Sequence, residues 1–317
     1  MGTPITATRL LHEDHQRIRE LYQKLCQESQ PAGQEDLSRE FLEALEIHSW
    51  MEERLVYPLL ATACQDDTLT QRLGGAHGDL KRLVSEFRLK GGYGGPEGRK
   101  VLGRLMTAFQ EHVHEEEEQA FPVLAAGAAH NEELGADLAR LKGRMEMFPP
   151  IAHSIDLAVP LQVAYNQWTQ FEDFPRFLAN VKEVRQAGPT RVEWHAEVAG
   201  KDLRWTSEIY EQTPDARIAW RSVEGSLNAG SVSFLALDEG SSRILVELNY
   251  EPQGLLENLG AMVGVLPRYV AANLQNYKEH LERTRAESGA WRGKVAGNPM
   301  DARKSGGSEV RPGPGPS

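Results

Sequence analysis

Hydrophobic residues in the first half of the chain follow a helical spacing. Leu11, His15, Ile18, Tyr22 and Leu25 are three or four residues apart, which places them on one face of a helix. Stretches rich in Gly, Pro and small polar residues interrupt this pattern and mark helix ends. The pattern predicts four long helices and a shorter fifth, at roughly 5–29, 35–63, 68–89, 97–125 and 131–146. Because short connections join long amphipathic helices, we expect residues 1–147 to form an all-α four-helix bundle.

After Pro150 the hydrophobic period changes from helical spacing to alternation. Six short segments rich in Val, Ile, Trp and Tyr alternate apolar and polar residues, as antiparallel strands do. A helical stretch, "PLQVAYNQWTQFEDFPRFL", follows the first of these strands, and a long amphipathic helix covers about 254–286. Residues 151–286 are therefore expected to form an α+β domain. The remaining 287–317 are rich in Gly, Pro, Ser and charged residues and are expected to be a disordered tail.

Six polar residues interrupt the apolar faces of the four long helices. The second and fourth helices each place a His and a Glu one turn apart, in "HSWMEERLVYPLLA" and "HVHEEEEQAFPVLA". The first and third helices each add one His to the same kind of stripe. The two helix pairs therefore read as duplicates of each other. The six residues are His15, His48, Glu52, His77, His112 and Glu116.

Metal binding explains these six residues better than a hydrogen-bonded core. Burying carboxylates and imidazoles without partners costs several kcal/mol, and no Lys or Arg shares their stripes. Metal ions supply positive charge and bind neutral imidazole nitrogens. Four imidazoles and two carboxylates without a thiolate favour iron or manganese. Whether Glu116 or Glu117 binds the metal stays open, as does a role for His12 in the site. The helical spacing places Glu53, Glu115, Glu117 and Glu118 on an outward acidic face.

This combination of motifs, over about residues 5–125, resembles the hemerythrin-like HHE cation-binding family. The resemblance implies a four-helix bundle that holds two non-haem iron ions, with Glu52 and Glu116 bridging and the four histidines as terminal ligands. The chain departs from the oxygen-carrying hemerythrins at two points. Leu73 stands where their third helix has an additional histidine, and Glu116 follows His112 by four residues where they have an Asp at five. Reversible oxygen transport is therefore not expected.

The second domain resembles the START-like family (SRPBCC) that includes polyketide cyclase/dehydrase and coenzyme Q-binding proteins. The stretches "WTQFEDFPRFLANVKEV" and "IAWRSVEGSLNAGSVSF" carry the resemblance, which implies a helix-grip fold. It also implies an apolar cavity between a curved sheet and the last helix, suited to a lipid, quinone or other hydrophobic small molecule. The residues expected near this cavity are Trp168, Trp194, Trp205, Trp220, Phe234, Tyr250, Leu259, Val263, Leu266 and Val270.

Charge and composition narrow the classes of partner. The chain has 46 Asp and Glu against 35 Lys and Arg and shows no basic cluster, which argues against nucleic acid. No apolar run reaches the length of a transmembrane helix, although "LGAMVGVL" leaves weak contact with a membrane surface open. The N-terminus lacks the apolar core of a signal peptide, and two cysteines form no disulfide framework. A cytoplasmic protein is expected.

The sequence favours a soluble binding or sensory protein. Its di-iron bundle would respond to oxygen, nitric oxide, peroxide or iron supply, and its second domain would bind a hydrophobic ligand. Two alternatives stay open: a di-iron redox enzyme that oxidises a hydrophobic substrate, and passive storage of metal or ligand. No acid–base dyad or nucleophile is recognisable in the second domain, so any enzymatic activity would be redox chemistry at the metals.

Overall fold

The computed structural model describes residues 5–64, 67–198, 200–251 and 265–300. The chain divides into two compact units. The first unit comprises residues 1–150 together with 298–300, and the second comprises 151–297 and 301–317. No helix among the described residues is long and apolar enough to cross a membrane.

The first unit is entirely helical in its described part, as expected for a bundle of long helices. Four long helices and a fifth of similar length are accompanied by two shorter ones. Their bounds are α1 Ala7–Gln27, α2 Pro31–Met51, α3 Tyr57–Cys64, α4 Thr68–Leu89, α5 Pro96–Glu115, α6 Phe121–Ala126 and α7 Ala128–Met147. A short 3₁₀ turn, Gly92–Gly94, connects α4 to α5.

The core of this unit is built from the predicted stripes. Leu25 on α1, Phe41 and Leu45 on α2, Phe87 on α4 and Phe109 on α5 are at most 2% exposed and belong to one apolar cluster. Because each helix buries one face against the others, the polar residues on the same stripes are buried with them. This is how the sequence brings histidines and glutamates into the interior.

A π-helical segment divides each of the two helices that contain a His–Glu pair. Glu52–Val56 separates α2 from α3, and Glu116–Ala120 separates α5 from α6. Pro58 and Pro122 lie two residues beyond these segments and cannot donate the hydrogen bond that an α-helix requires. The preceding Tyr57 and Phe121 N–H groups instead donate to the carbonyls five residues earlier, at the two glutamates.

The second unit contains a curved antiparallel sheet. In its described part, eight strands are ordered β1-β7-β6-β5-β4-β3-β2, and β8 pairs with β4. The bounds are β1 Ile151–Leu157, β2 Val181–Gln186, β3 Arg191–Val198, β4 Lys201–Thr213, β5 Arg217–Gly225, β6 Leu227–Ala236, β7 Ser242–Glu251 and β8 Val295–Ala296. The helical elements are α8 Leu161–Trp168, a 3₁₀ segment Phe171–Arg176, and α9 Val265–Thr284.

One face of the sheet packs against these helices. Tyr277 on α9 is fully buried, donates a hydrogen bond to the carbonyl of Ala164 and lies 5.0 Å from the ring centre of Trp168. Leu274 and Leu281 of α9 belong to the same apolar cluster as the inward residues of the strands. This arrangement is the helix-grip fold. The start of the predicted last helix, before Val265, lies outside the described residues.

The segment after α9 differs from its prediction. The sequence predicts a disordered tail from residue 287, whereas Ser288 accepts a hydrogen bond from Gln167, and Val295 pairs with Gln212 on β4. Arg292 also bonds to Asn166 at 2.8 Å. Composition misled here because short polar segments gain their order from hydrogen bonds to the rest of the unit, which a compositional rule does not consider. The rest of the predicted tail, 301–317, lies outside the described residues.

Candidate functional site

The four stripe histidines and the two stripe glutamates meet inside the helical unit. The Nε2 atoms of His48 and His77 lie 3.2 Å from the two oxygens of Glu52, Oε1 and Oε2 respectively. Nε2 of His15 is 3.4 Å and Nε2 of His112 is 3.7 Å from Oε2 of Glu116. All four imidazoles therefore direct the same nitrogen toward a carboxylate pair. The six side chains that the helical spacing selected occupy one cluster.

Burial of this cluster without a bound cation destabilises the folded protein. None of the six residues is more than 2% exposed. Both oxygens of Glu52, both oxygens of Glu116 and the Nε2 atoms of His15 and His48 have no hydrogen-bond partner among the described residues. Buried polar atoms are almost always paired, and an unpaired charged group costs more than a neutral one. A set of unpaired acceptors facing one another is suited to cations.

The six residues divide into two groups of potential metal ligands. His15, His48, Glu52 and Glu116 form the first, and Glu52, His77 and His112 form the second, with each group's donor atoms within 4.8 Å of one another. Glu52 belongs to both. Nε2 of His112 is also 3.8 Å from Glu52 and 3.7 Å from Glu116. The arrangement offers two adjacent positions for ions with carboxylates between them.

Two further glutamates hold the outer nitrogens of two histidines. Nδ1 of His15 bonds to Glu117 at 2.9 Å, and Nδ1 of His77 bonds to Glu53 at 3.0 Å. A carboxylate at Nδ1 fixes the tautomer that leaves the Nε2 lone pair free for a metal. Glu117 also bonds to His12 Nδ1 at 3.1 Å. His12 thus contacts the outer glutamate and is itself exposed.

Glu53 and Glu117 therefore do not lie on the outward acidic face that the sequence predicts. The helical period places the residue after Glu52 or Glu116 about 100° around the helix. The π-helical turn contains an additional residue, so two successive glutamates can both face the interior. Glu117 is engaged with two histidines, whereas Glu116 is fully buried and unpaired among the described residues. This difference favours Glu116 over Glu117 as the residue available to a metal.

Burial also sets the protonation of the cluster. It lowers the pKa of His112 to about 3 and that of His48 well below its ordinary value, so both rings are neutral. Burial and the charge of Glu116 raise the pKa of Glu52 well above its ordinary range. Burial acts to raise the pKa of Glu116 too, but the imidazoles of His15 and His112 bring it below the ordinary value. Glu52 therefore keeps a proton while Glu116 is ionised, and a divalent ion would displace that proton.

Tyr57 is a residue at this site that the sequence reasoning missed. Its hydroxyl lies 3.0 Å from Nε2 of His77, and the residue is fully buried. Phe121 is the matched residue of the other repeat, and its ring stacks on His15 at 5.8 Å. The sequence shows an aromatic-Pro pair in each repeat, and only the first pair carries a hydroxyl, on Tyr57. That difference was the sequence signal that Tyr57 has a role at this site. The two halves of the cluster are thus chemically different.

The second unit contains an apolar cavity of about 200 Å³ between the sheet and α9. Most of the predicted residues line it: Trp168, Trp194, Trp205, Trp220, Tyr250, Leu266 and Val270. Phe234 does not. It is 5% exposed and packs against Tyr165 at 5.3 Å, because its position on β6 faces α8. Leu259 and Val263 lie outside the described residues.

The two units match different known families. Residues 6–124 match the family described as hemerythrin HHE cation binding domain, and residues 157–278 match polyketide cyclase / dehydrase and lipid transport. Each match lies within one of the two units. A Streptomyces lincolnensis protein, described as an uncharacterized 17.2 kDa protein in the melC2-rnhH intergenic region, is 36% identical over 146 residues. That alignment covers 46% of this chain and 97% of the relative.

Solved structures similar to the chain include START-like proteins. The Zhui aromatase/cyclase from Streptomyces sp. R1128 is 18% identical, with a TM-score of 0.37, and the match covers 45% of this chain and 98% of that one. A START superfamily protein from Mycobacterium smegmatis is 14% identical, with a TM-score of 0.36, over 43% of this chain and 95% of that one.

The HHE unit lacks the additional histidine of the oxygen-carrying hemerythrins. Leu73, at the corresponding position of α4, is fully buried. The described part of the HHE unit therefore gathers four histidines at the cluster. The donor set of four imidazole nitrogens and two carboxylates fits a pair of iron or manganese ions, since these metals accept both ligand types.

Proposed function

We propose that the HHE unit binds two non-haem iron ions, with manganese as the alternative metal. One ion is held by His15, His48 and Glu116, and the other by His77 and His112, with Glu52 shared. The observation that supports this most directly is the pair of buried carboxylates whose four oxygens have no hydrogen-bond partner among the described residues. Such acceptors, faced by four imidazole nitrogens, need cations to be stable in an interior.

The proposed role of this centre is to respond to a small reagent: oxygen, nitric oxide, peroxide or the iron supply. The six ligand residues are each at most 2% exposed, so a bulky organic substrate has no surface of these residues to contact. A diatomic gas or peroxide is small enough to reach a buried centre through fluctuations of the packing. Bound iron would supply redox chemistry there, while Glu117 and Glu53 orient the two imidazoles that they contact.

The polyketide cyclase/dehydrase unit is proposed to bind a hydrophobic small molecule. Its cavity is lined mainly by apolar and aromatic side chains, among them Trp168, Trp205 and Trp220. No Asp, Glu, His, Lys or Arg is among the lining residues in the described part of the unit. The lining residues that titrate are Tyr250 and Tyr269, and burial raises the pKa of Tyr250. A binding role is therefore better supported than acid–base catalysis, which most often uses a histidine or a carboxylate.

Anaerobic titration with ferrous iron tests the metal proposal. The expected result is about two ions bound per chain, with loss of most of this binding in Glu52→Ala and Glu116→Ala. His114→Ala is the matched control, because His114 is exposed and lies on the same helix as His112. The proposal would be contradicted if metal analysis of the reconstituted protein found only zinc, or if all three variants lost the same amount of iron binding.

A redox enzyme is the second candidate function, and Tyr57 favours it, because a phenol that contacts a ligand histidine can exchange an electron and a proton. Exposing the ferrous protein to oxygen separates the two functions. A stable or reversible change in the visible spectrum supports a sensor. Continuous consumption of oxygen and an added reductant, lost in Tyr57→Phe, supports an enzyme.

A further inference from the structure

Two of the described residues that line the apolar cavity have a polar side-chain atom without a partner. Nε1 of Trp194 and Oγ of Ser207 are buried and have no hydrogen-bond partner among the described residues. Both residues line the cavity, and Ser207 is 1% exposed. Trp194 on β3 lies opposite Trp205 on β4, and Ser207 is two residues further along β4. Residues two apart share a face of a sheet, so the two atoms belong to one side of the cavity wall.

Several other polar groups along this cavity are already satisfied. The side chain of Asn273 donates to Oδ1 of Asn180 at 2.6 Å and accepts from the Ala179 N–H at 3.2 Å. The side chain of Asn228 donates to the Ser226 carbonyl at 3.1 Å. An unsatisfied buried donor costs about 1–3 kcal/mol. Trp194 and Ser207 are the described lining residues whose polar side-chain atoms are both buried and without a partner.

The indole of Trp194 restricts what such a ligand offers. Its N–H is a donor only, whereas the Ser207 hydroxyl can donate or accept, so the pair matches an acceptor oxygen. The rings of Trp194 and Trp205 are stacked, with centroids 5.6 Å apart and an angle of 3°. They present a flat aromatic wall beside the donors. A charged group would lack any counter-ion among the described lining residues, and burying it would be costly.

We propose that Trp194 and Ser207 form a polar anchor that selects a neutral, flat, apolar molecule bearing an acceptor oxygen. Aromatic ketones, quinones and phenols have this chemistry, whereas hydrocarbons lack the acceptor and fatty acids carry a charge. This inference rests on the proposed hydrophobic-ligand function of the second unit and names the ligand class and the residues that select it.

Calorimetric titration of the full chain with three probes of similar shape tests the anchor. The probes are 2-acetonaphthone, 2-ethylnaphthalene and 2-naphthoate, which carry a ketone, no oxygen and a carboxylate. The ketone is expected to bind about tenfold more tightly than the hydrocarbon, as hydrogen bonds of ordinary strength provide. The carboxylate is expected to bind most weakly. The combination of Trp194→Phe and Ser207→Ala should abolish the preference for the ketone.

Two variants keep the test independent of folding. Ser207→Ala alone removes a single atom and should reduce the ketone preference without weakening the hydrocarbon. Trp220→Phe removes an indole from the same cavity without altering either anchor atom, and should weaken both neutral probes equally. A ketone preference that survives in the double variant would overturn the anchor, as would tightest binding of the carboxylate.

The outcomes also separate this inference from the function on which it rests. Equal binding of the ketone and the hydrocarbon to the unmodified chain retains the hydrophobic-ligand function and refutes the anchor. Failure of all three probes to bind refutes both.

Discussion

Replacing Glu52 by glutamine changes one buried carboxylate to a neutral group of nearly the same size. Glu52 is fully buried, faces Glu116 and belongs to both groups of potential metal ligands. Burial and the Glu116 charge raise its pKa well above the ordinary 4.5. In the metal-free protein, Glu52 therefore keeps a proton at a pH where the unfolded chain releases it. The Glu52→Gln variant needs no such proton.

The size and sign of the effect follow from this difference. Each pH unit above 4.5 costs the native state about 1.4 kcal/mol while the folded carboxyl stays protonated, so the cost at pH 7.5 reaches at most about 4 kcal/mol. Glutamine removes this cost. Metal-free Glu52→Gln should therefore unfold at a higher temperature than the unmodified protein, by about 2–4 °C per kcal/mol for a unit of this size. The gain should shrink as the pH falls toward 4.5.

Bound metal reverses the order of stability. An ion at a hundred times its dissociation constant stabilises the unmodified protein by about 2.7 kcal/mol, and the variant loses a ligand that both ions share. Differential scanning calorimetry measures both effects, with Glu118→Gln as the exposed control on the other repeat. The reasoning is refuted if metal-free Glu52→Gln is no more stable at pH 7.5, or if ferrous iron raises the unfolding temperature of both proteins equally.

Three further predictions concern the surroundings of the cluster. Glu53→Gln and Glu117→Gln should each weaken iron binding about 10–100-fold in a competition with a chelator, and the same effect in His114→Gln would contradict this. Tyr57→Phe removes a hydroxyl that donates to Nε2 of His77 in the metal-free protein, so it should strengthen one binding step of the ferrous titration by up to about tenfold; equal effects on both steps would exclude an asymmetric role. Burial keeps His112 neutral in the fold, so metal-free protein should lose about 1 kcal/mol from this residue between pH 6.5 and 5.5. Urea unfolding should show that this loss is absent in His112→Gln.

The helical spacing of the first half was sufficient to predict which six side chains meet. A period of 3.6 places residues four apart on one face, and the packing of amphipathic helices buries that face. The same period wrongly placed Glu53 and Glu117 on an outward face, because a π-helical turn changes the direction of successive side chains. The prolines at 58 and 122 indicate an irregularity in each helix, but how the chain absorbs a missing N–H depends on its surroundings.

The second half shows a different limit of sequence reasoning. Its longer strands were predicted because they alternate apolar and polar residues. β2 was missed because, in "VKEVRQ", only Val181 and Val184 are buried, as suits a strand at one end of the sheet. Alternation also does not distinguish a residue that lines a cavity from one that packs against a helix. Trp194 and Phe234 both face inward, yet only Trp194 borders the cavity.

The two π-helical segments make the length of the chain as important as the identity of the ligands. Deleting one residue between Glu52 and Val56, or between Glu116 and Ala120, would return the helix to its regular pitch without removing any histidine or the leading glutamate. The outer glutamate would then turn away from its histidine. Insertions and deletions are usually tolerated in surface loops and not inside helices. Here the intolerance has a chemical origin: a single-residue deletion would separate the outer glutamate from the histidine that it contacts.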